Sequence, residues 1–114
     1  MKTGFIGLGN MGGPLAGRLA QRHPLHVFDL REDLVAGFVD RGATAAASPS
    51  EIGAACDTVL TCLPTSDNVR DVIFGPGGLA ETLEPGALIA DMTTGDPAKT
   101  RAMAEDLKAK GIDL

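Results

Sequence analysis

Thr3-Gly4-Phe5-Ile6-Gly7-Leu8-Gly9-Asn10-Met11-Gly12 begins as an apolar run and ends in glycines. The first half reads as a buried strand. Gly7, Gly9 and Gly12 form G-x-G-x-x-G, a weak pattern alone in a chain with 15 glycines. Its setting strengthens it, because Met11, Leu15 and Leu19 recur every four residues, with Ala16 and Ala20 beside them. That spacing predicts a helix with Met11, Leu15 and Leu19 on its apolar face, ending near His23-Pro24. A strand, a glycine turn and a helix in that order fit a phosphate cradle. Gly7 would permit the tight turn, Gly9 the approach of a diphosphate, and Gly12 close packing of helix on strand. The helix dipole adds up to roughly 2 kcal/mol to anion binding in a partly buried site.

Moving outward, Leu25-His26-Val27-Phe28 predicts a second strand with Asp29 at its carboxyl end, 22 residues after Gly7. An acid there can accept from both hydroxyls of an adenosine ribose and repels the 2′-phosphate of NADP. The reading is therefore NAD rather than NADP. Arg31 could offset that charge if it turned inward, and Asp29 could instead cap the helix beginning near Glu32. The pairs Leu34/Phe38 and Val35/Val39 lie at helical spacing, with Gly42 placed to cap that helix.

Ser48-Pro49-Ser50-Glu51 is a capping box with proline at the first helical position, and it predicts a brief helix. Thr58-Val59-Leu60-Thr61-Cys62-Leu63 is a strand by composition. Ser66 is the expected cap of the next helix, carried by Val69, Val72 and Ile73 and stopped by Gly75-Pro76-Gly77-Gly78. A short turn over Leu79–Leu83 precedes the strand Ala87–Ala90. Asp96-Pro97 opens a helix through Met103 and Leu107, with Lys108 and Lys110 in its last turn and Gly111 ending it. Ile112-Asp113-Leu114 reads as the start of another strand and suggests a truncated chain.

Strands and helices alternate, and the strands are nearly continuous apolar runs. That pattern predicts an α/β fold: a single Rossmann-type domain over residues 1–114, a doubly wound parallel sheet in three layers. The composition agrees, with 44% hydrophobic and 22% charged residues in 114. Fifteen acids against ten bases leave a net charge of −5, which opposes a nucleic-acid surface. No apolar run is long enough for a transmembrane helix. Cys56 and Cys62 read as buried free thiols suited to the cytoplasm, and they lack zinc spacing. His23 and His26 flank Pro24 away from the glycine turn and read as surface residues. No metal site is expected.

Three separated motifs resemble the 3-hydroxyisobutyrate dehydrogenase family of β-hydroxyacid dehydrogenases. They are Phe5 to Ala16, Leu63-Pro64-Thr65-Ser66 followed by Gly75 to Leu79, and Asp91-Met92-Thr93-Thr94-Gly95-Asp96-Pro97. The resemblance covers essentially the whole chain. It implies reversible oxidation of a small 3-hydroxy acid by a nicotinamide cofactor. It also implies cofactor contacts at Leu63, Pro64, Asn68 and Thr94, besides the loop Gly7, Leu8, Gly9, Asn10, Met11 and Gly12. NADP-using members typically carry Asn-Arg where this chain has Asp29-Leu30, a departure that also favours NAD. Independently, Leu63-Pro64 and Thr93-Thr94 follow strands at the carboxyl ends where such sheets bind ligands. Asn68 offers both a donor and an acceptor.

The family's proton-transferring lysine and its serine partner would lie beyond Leu114, so no catalytic residue is expected in this chain. Lys99, Lys108 and Lys110 belong to the last helix and do not replace that lysine. Asp91 is expected to hold its loop rather than act as a base. The expectation is the cofactor-binding part of a dehydrogenase, with a hydroxy acid as substrate of the whole enzyme and self-association through exposed apolar faces. The alternatives are a non-catalytic NAD-binding module, or reduction of glyoxylate, tartronate semialdehyde or an imine on the same scaffold.

Overall fold

The computed structural model of the chain describes residues 2–114. Five strands, β1 (Thr3–Ile6), β2 (Leu25–Phe28), β3 (Thr44–Ala45), β4 (Thr58–Thr61) and β5 (Leu88–Asp91), form one parallel sheet in the order β3-β2-β1-β4-β5. Five helices connect them: α1 (Gly12–Ala20), α2 (Glu32–Val39), α3 (Pro49–Ala55), α4 (Ser66–Phe74) and α5 (Pro97–Lys108). A 3-10 turn spans Leu79–Glu81. The order reverses between β1 and β4, which places a topological switch point directly beyond the end of β1.

The alternation of the pleat sorts the apolar strand residues into two cores. Phe5, Leu25 and Val27 pack with Ala16 of α1 and Phe38 of α2 on one face. Ile6, Val59 and Ile89 pack with Ile52, Ile73, Met103 and Leu107 under α3, α4 and α5 on the other. Each large side chain that is fully removed from water contributes about 1.5–3 kcal/mol. The expected three layers are therefore present. Asp113 makes a parallel bridge to Leu88, with Ile112 buried behind it, so Ile112–Leu114 does extend the sheet beside β5.

Several local expectations need correction. The buried face of α1 is Gly12 and Ala16, whereas Met11 and Leu15 are exposed, at 68% and 40%. The helix lies so close to the sheet that only small side chains fit beneath it. In α2 Phe38 is buried, while Val39 faces solvent. Ser66 does not cap α4. Thr65 does, accepting from the Asn68 N–H at 3.1 Å, while Ser66 is buried and accepts from the Asp96 N–H at 2.8 Å. Ser48 caps α3 as expected, but the Glu51 carboxylate reaches back to the Ala47 N–H rather than to that of Ser48. Lys110 lies past the end of α5, in a turn closed by Gly111 at φ +76°. The edge strand β3 was not expected, having two exposed residues and no apolar run.

Candidate functional site

The glycine turn links the end of β1 to the start of α1 over the switch point. Gly7 has φ +101°, and a side chain on it would overlap the Cys62 carbonyl oxygen at the end of β4. A methyl group on Gly12 would overlap the Gly7 carbonyl oxygen, so the first and third glycines stack on each other. Gly9 differs from both. A Cβ there would meet nothing within 4 Å, so its backbone faces open space. The middle glycine is thus not required by packing, and its bare backbone allows close approach from outside.

The start of α1 supplies donors to that space. Side chains cap α3, α4 and α5 through Ser48, Thr65 and Asp96. Met11 at the corresponding position of α1 makes no such bond, and the first turn of α1 carries no acid. Among the described residues the N–H groups of Asn10, Met11 and Gly12 have no hydrogen-bond acceptor. Unpaired amides and the positive end of a helix dipole favour an anion.

Asp29 meets the same loop from β2. Its Oδ2 accepts from the Leu8 N–H at 2.7 Å, and its Oδ1 accepts from the Arg31 N–H at 2.8 Å. The capping alternative for Asp29 does not hold, because Arg31 occupies the cap position of α2. The carboxylate instead ties the glycine loop to the end of β2. Each oxygen keeps a second lone pair that can accept a hydroxyl. This tie was not foreseen, since the 21-residue separation of Leu8 and Asp29 leaves no local signal.

Leu63 and Pro64 follow β4, with Leu63 half-buried and Pro64 exposed. The Leu63 side chain lies 3.2 Å from the position a Gly7 Cβ would take, which brings it against the glycine turn. The Leu63 N–H donates to Thr93 Oγ1 at 2.9 Å. Asp91 Oδ1 accepts from Thr61 Oγ1 at 2.9 Å and from the Thr93 N–H at 3.0 Å, so Asp91 does hold its loop. Thr93, rather than the singled-out Thr94, joins the two strand ends. Thr61, a fully buried hydroxyl inside an apolar strand, was the available sign of such a network.

Thr94 is exposed on the loop after β5, and Asn68 is exposed in the first turn of α4. Asn68 Oδ1 accepts from Thr65 Oγ1 at 2.9 Å, which leaves its NH2 group directed to other partners. The site residues therefore gather at the carboxyl ends of the parallel strands. Gly7 to Gly12, Asp29 and Leu63 are joined by direct contacts, and Asn68 and Thr94 stand further along. A groove of about 620 Å3 lies elsewhere, between α1 and α2, lined by Gly13, Gly17, Arg18, Phe38 and Arg41. Its location away from the strand ends gives it no part in this site.

Lys99 Nζ pairs with Asp67 at 2.9 Å. His23 is exposed and His26 half-buried on β2. Cys56 is buried, and burial first, then the neighbouring Asp57, pushes its thiol up to about 11. Cys62 is only half-buried, contrary to expectation, and burial followed by Asp91 raises its thiol as well. Among the described residues no three His, Cys, Asp or Glu side chains cluster as metal ligands would, and no helix is long and apolar enough to cross a membrane.

An open glycine turn at a switch point, an uncapped helix start behind it and an acid at the end of the second strand define a dinucleotide-binding α/β domain. The chain belongs to the family described as the NAD binding domain of 6-phosphogluconate dehydrogenase, which it matches over residues 2–114. It is 43% identical over 111 residues to 3-sulfolactaldehyde reductase of Escherichia coli, covering 96% of this chain and 37% of that protein. The crystal structure of 3-hydroxyisobutyrate dehydrogenase from Salmonella typhimurium superposes with a TM-score of 0.88 at 29% identity, over 98% of this chain and 39% of that one. A reductive aminase from Aspergillus terreus in complex with NADPH and ethyl levulinate superposes with a TM-score of 0.83 at 28% identity, over 97% and 38%. The resemblance to the 3-hydroxyisobutyrate dehydrogenases thus holds in sequence and in fold. The chain spans between 33% and 38% of the length of the curated relatives it matches.

Proposed function

We propose that this chain is the NAD-holding part of an oxidoreductase acting on a small 3-hydroxy acid such as 3-hydroxyisobutyrate. The observation that carries the reading is the open space at Gly9, next in the chain to the unpaired amides of Asn10, Met11 and Gly12. In this reading Gly7, Leu8, Gly9, Asn10, Met11 and Gly12 cradle the diphosphate. Asp29 accepts from the adenosine ribose while keeping Leu8 in place. Leu63, Pro64, Asn68 and Thr94 line the path towards the nicotinamide end.

When bound, the nicotinamide supplies a hydride acceptor for the carbinol carbon of the substrate. The chain's own part is to bind and orient that ring, and no residue in it is assigned the proton transfer. Lys99 is engaged by Asp67, so it is not offered as the base. The dehydrogenase reading is preferred to an NAD-binding module because the named relatives are reductases and dehydrogenases. Imine reduction is the second reading, favoured by the likeness to the reductive aminase.

NAD is preferred to NADP because the Asp29 charge stands where a 2′-phosphate would lie. The two thiols, which form no disulfide, suit a reducing compartment such as the cytoplasm. Leu15, Leu88 and Met92 are exposed apolar residues through which copies can associate. Isothermal titration of the folded chain tests the central reading. Saturable heat with NAD and at least about tenfold weaker binding of NADP are expected, a difference of ~1.4 kcal/mol. A folded sample that gives no heat with either dinucleotide refutes it.

A further inference from the structure

The start of α2 breaks the usual rule for helix caps. Short side chains that accept hydrogen bonds are preferred there, and a cation opposes the helix dipole. Arg31 occupies the position and makes no capping bond. Its guanidinium turns forward along the helix instead, with Nη2 2.8 Å from Asp33 Oδ2, and both side chains are about two-thirds exposed, at 68% and 66%. The Asp33 carboxyl is held below the usual carboxylate range, first by that hydrogen bond. Meanwhile the Arg31 N–H donates to Asp29, the acid proposed to face the ribose. The root of the guanidinium is thus fixed at the ribose edge while its charge is led away.

Arg31 is the one cation in the stretch 29–33, where Asp29, Glu32 and Asp33 supply three negative charges and Leu30 is fully out in solvent. We propose that Asp33 sets the cofactor preference by tethering Arg31, which is a latent partner for a phosphate on the ribose 2′ oxygen. The inference rests on the dinucleotide reading and adds a specificity residue to it. With Asp33 in place, a 2′-phosphate meets Asp29 and a guanidinium that is already paired. Without the Asp33 charge, Arg31 is free to swing back and form a two-pronged pair with the phosphate. The first turn of α2 also repels an anion less once that acid is gone.

The experiment compares wild type, Asp33→Asn, Arg31→Ala and the double variant by titration calorimetry with NAD and with NADP at low ionic strength. Both substitutions lie at the exposed start of α2, and thermal melts check that each variant is folded. Asp33→Asn is expected to tighten NADP by about fivefold, the scale of an exposed ion pair, with NAD unchanged within about twofold. Adding Arg31→Ala should remove that gain, and raising the salt should shrink it. An unchanged NADP affinity in Asp33→Asn, with NAD binding intact, overturns the proposal. So does a gain that survives loss of Arg31, because net charge alone would then explain it. A wild-type chain that binds neither dinucleotide refutes the dinucleotide reading and removes this inference with it.

Discussion

Alanine at Gly9 and at Gly12, introduced one at a time, should separate binding from folding. The Gly12 methyl would overlap the Gly7 carbonyl oxygen, and Gly7 cannot retreat because it lies against the Cys62 carbonyl. α1 must therefore lift from the sheet, at a cost of about 1–3 kcal/mol for an overpacked contact. Unfolding 114 residues carries an entropy of about 240 cal/mol/K at about 2.1 cal/mol/K per residue, so each kcal/mol lowers Tm by about 4 °C. Gly12→Ala should then melt about 4–12 °C lower. A methyl on Gly9 projects into open space. Gly9→Ala should hold its stability within about 1 kcal/mol and gain slightly from a stiffer unfolded chain. Its methyl would occupy the ground proposed for the diphosphate, so NAD binding should weaken at least about tenfold, or ~1.4 kcal/mol. Scanning calorimetry of the free proteins and titration with NAD read the two effects separately. Wild-type NAD affinity in a folded Gly9→Ala chain would show that the diphosphate does not pass over this loop.

Three further outcomes follow from the same geometry. Asp29→Ala leaves the Leu8 and Arg31 amides without their acceptor and should cost about 1–3 kcal/mol in urea unfolding. Asp29→Asn should fall between, because its NH2 group can satisfy neither amide and its oxygen only one. Thr93→Val removes the acceptor of the Leu63 N–H while preserving shape. It should lower stability by about 1–2 kcal/mol and weaken NAD binding, read by denaturant midpoint and titration. The folded chain keeps the Cys56 proton up to about pH 11, whereas the unfolded chain releases it near the ordinary thiol value of 9. Stability is therefore unaffected by this group below pH 9 and falls as pH rises from 9 towards 11. Iodoacetamide at pH 8 should modify Cys56 slowly in the native chain and rapidly in urea, followed by mass spectrometry.

The strands and helices around the glycine turn were legible because each carried its own periodicity and its own stop signal. Ser48-Pro49 and Asp96-Pro97 marked two helix starts correctly. At α4 two adjacent hydroxyls competed for the cap. Thr65 took it, because Ser66 is drawn inward to the Asp96 amide, 30 residues away in sequence. α1 misled for a similar reason. Met11 and Leu15 have the spacing of a core stripe, yet Gly12 and Ala16 are the residues that let the helix rest on β1. β3 left no trace, since two polar or small residues at an edge carry no pattern.

Local chemistry along the chain was sufficient for the order of elements, the parallel sheet and the glycine turn with its distant acid. Each of those depends on side-chain periodicity or on backbone freedom within a few neighbouring residues. Folding was needed to show that Asp29 binds the Leu8 amide, that Thr93 joins the ends of β4 and β5, and that Arg31 is held by Asp33. The first two pairings bring together groups 21 and 30 residues apart in sequence. The third is close in sequence, but it depends on which way an exposed side chain turns at the start of a helix. Such choices are settled by the competition among acceptors in the assembled fold, which no single stretch of sequence records.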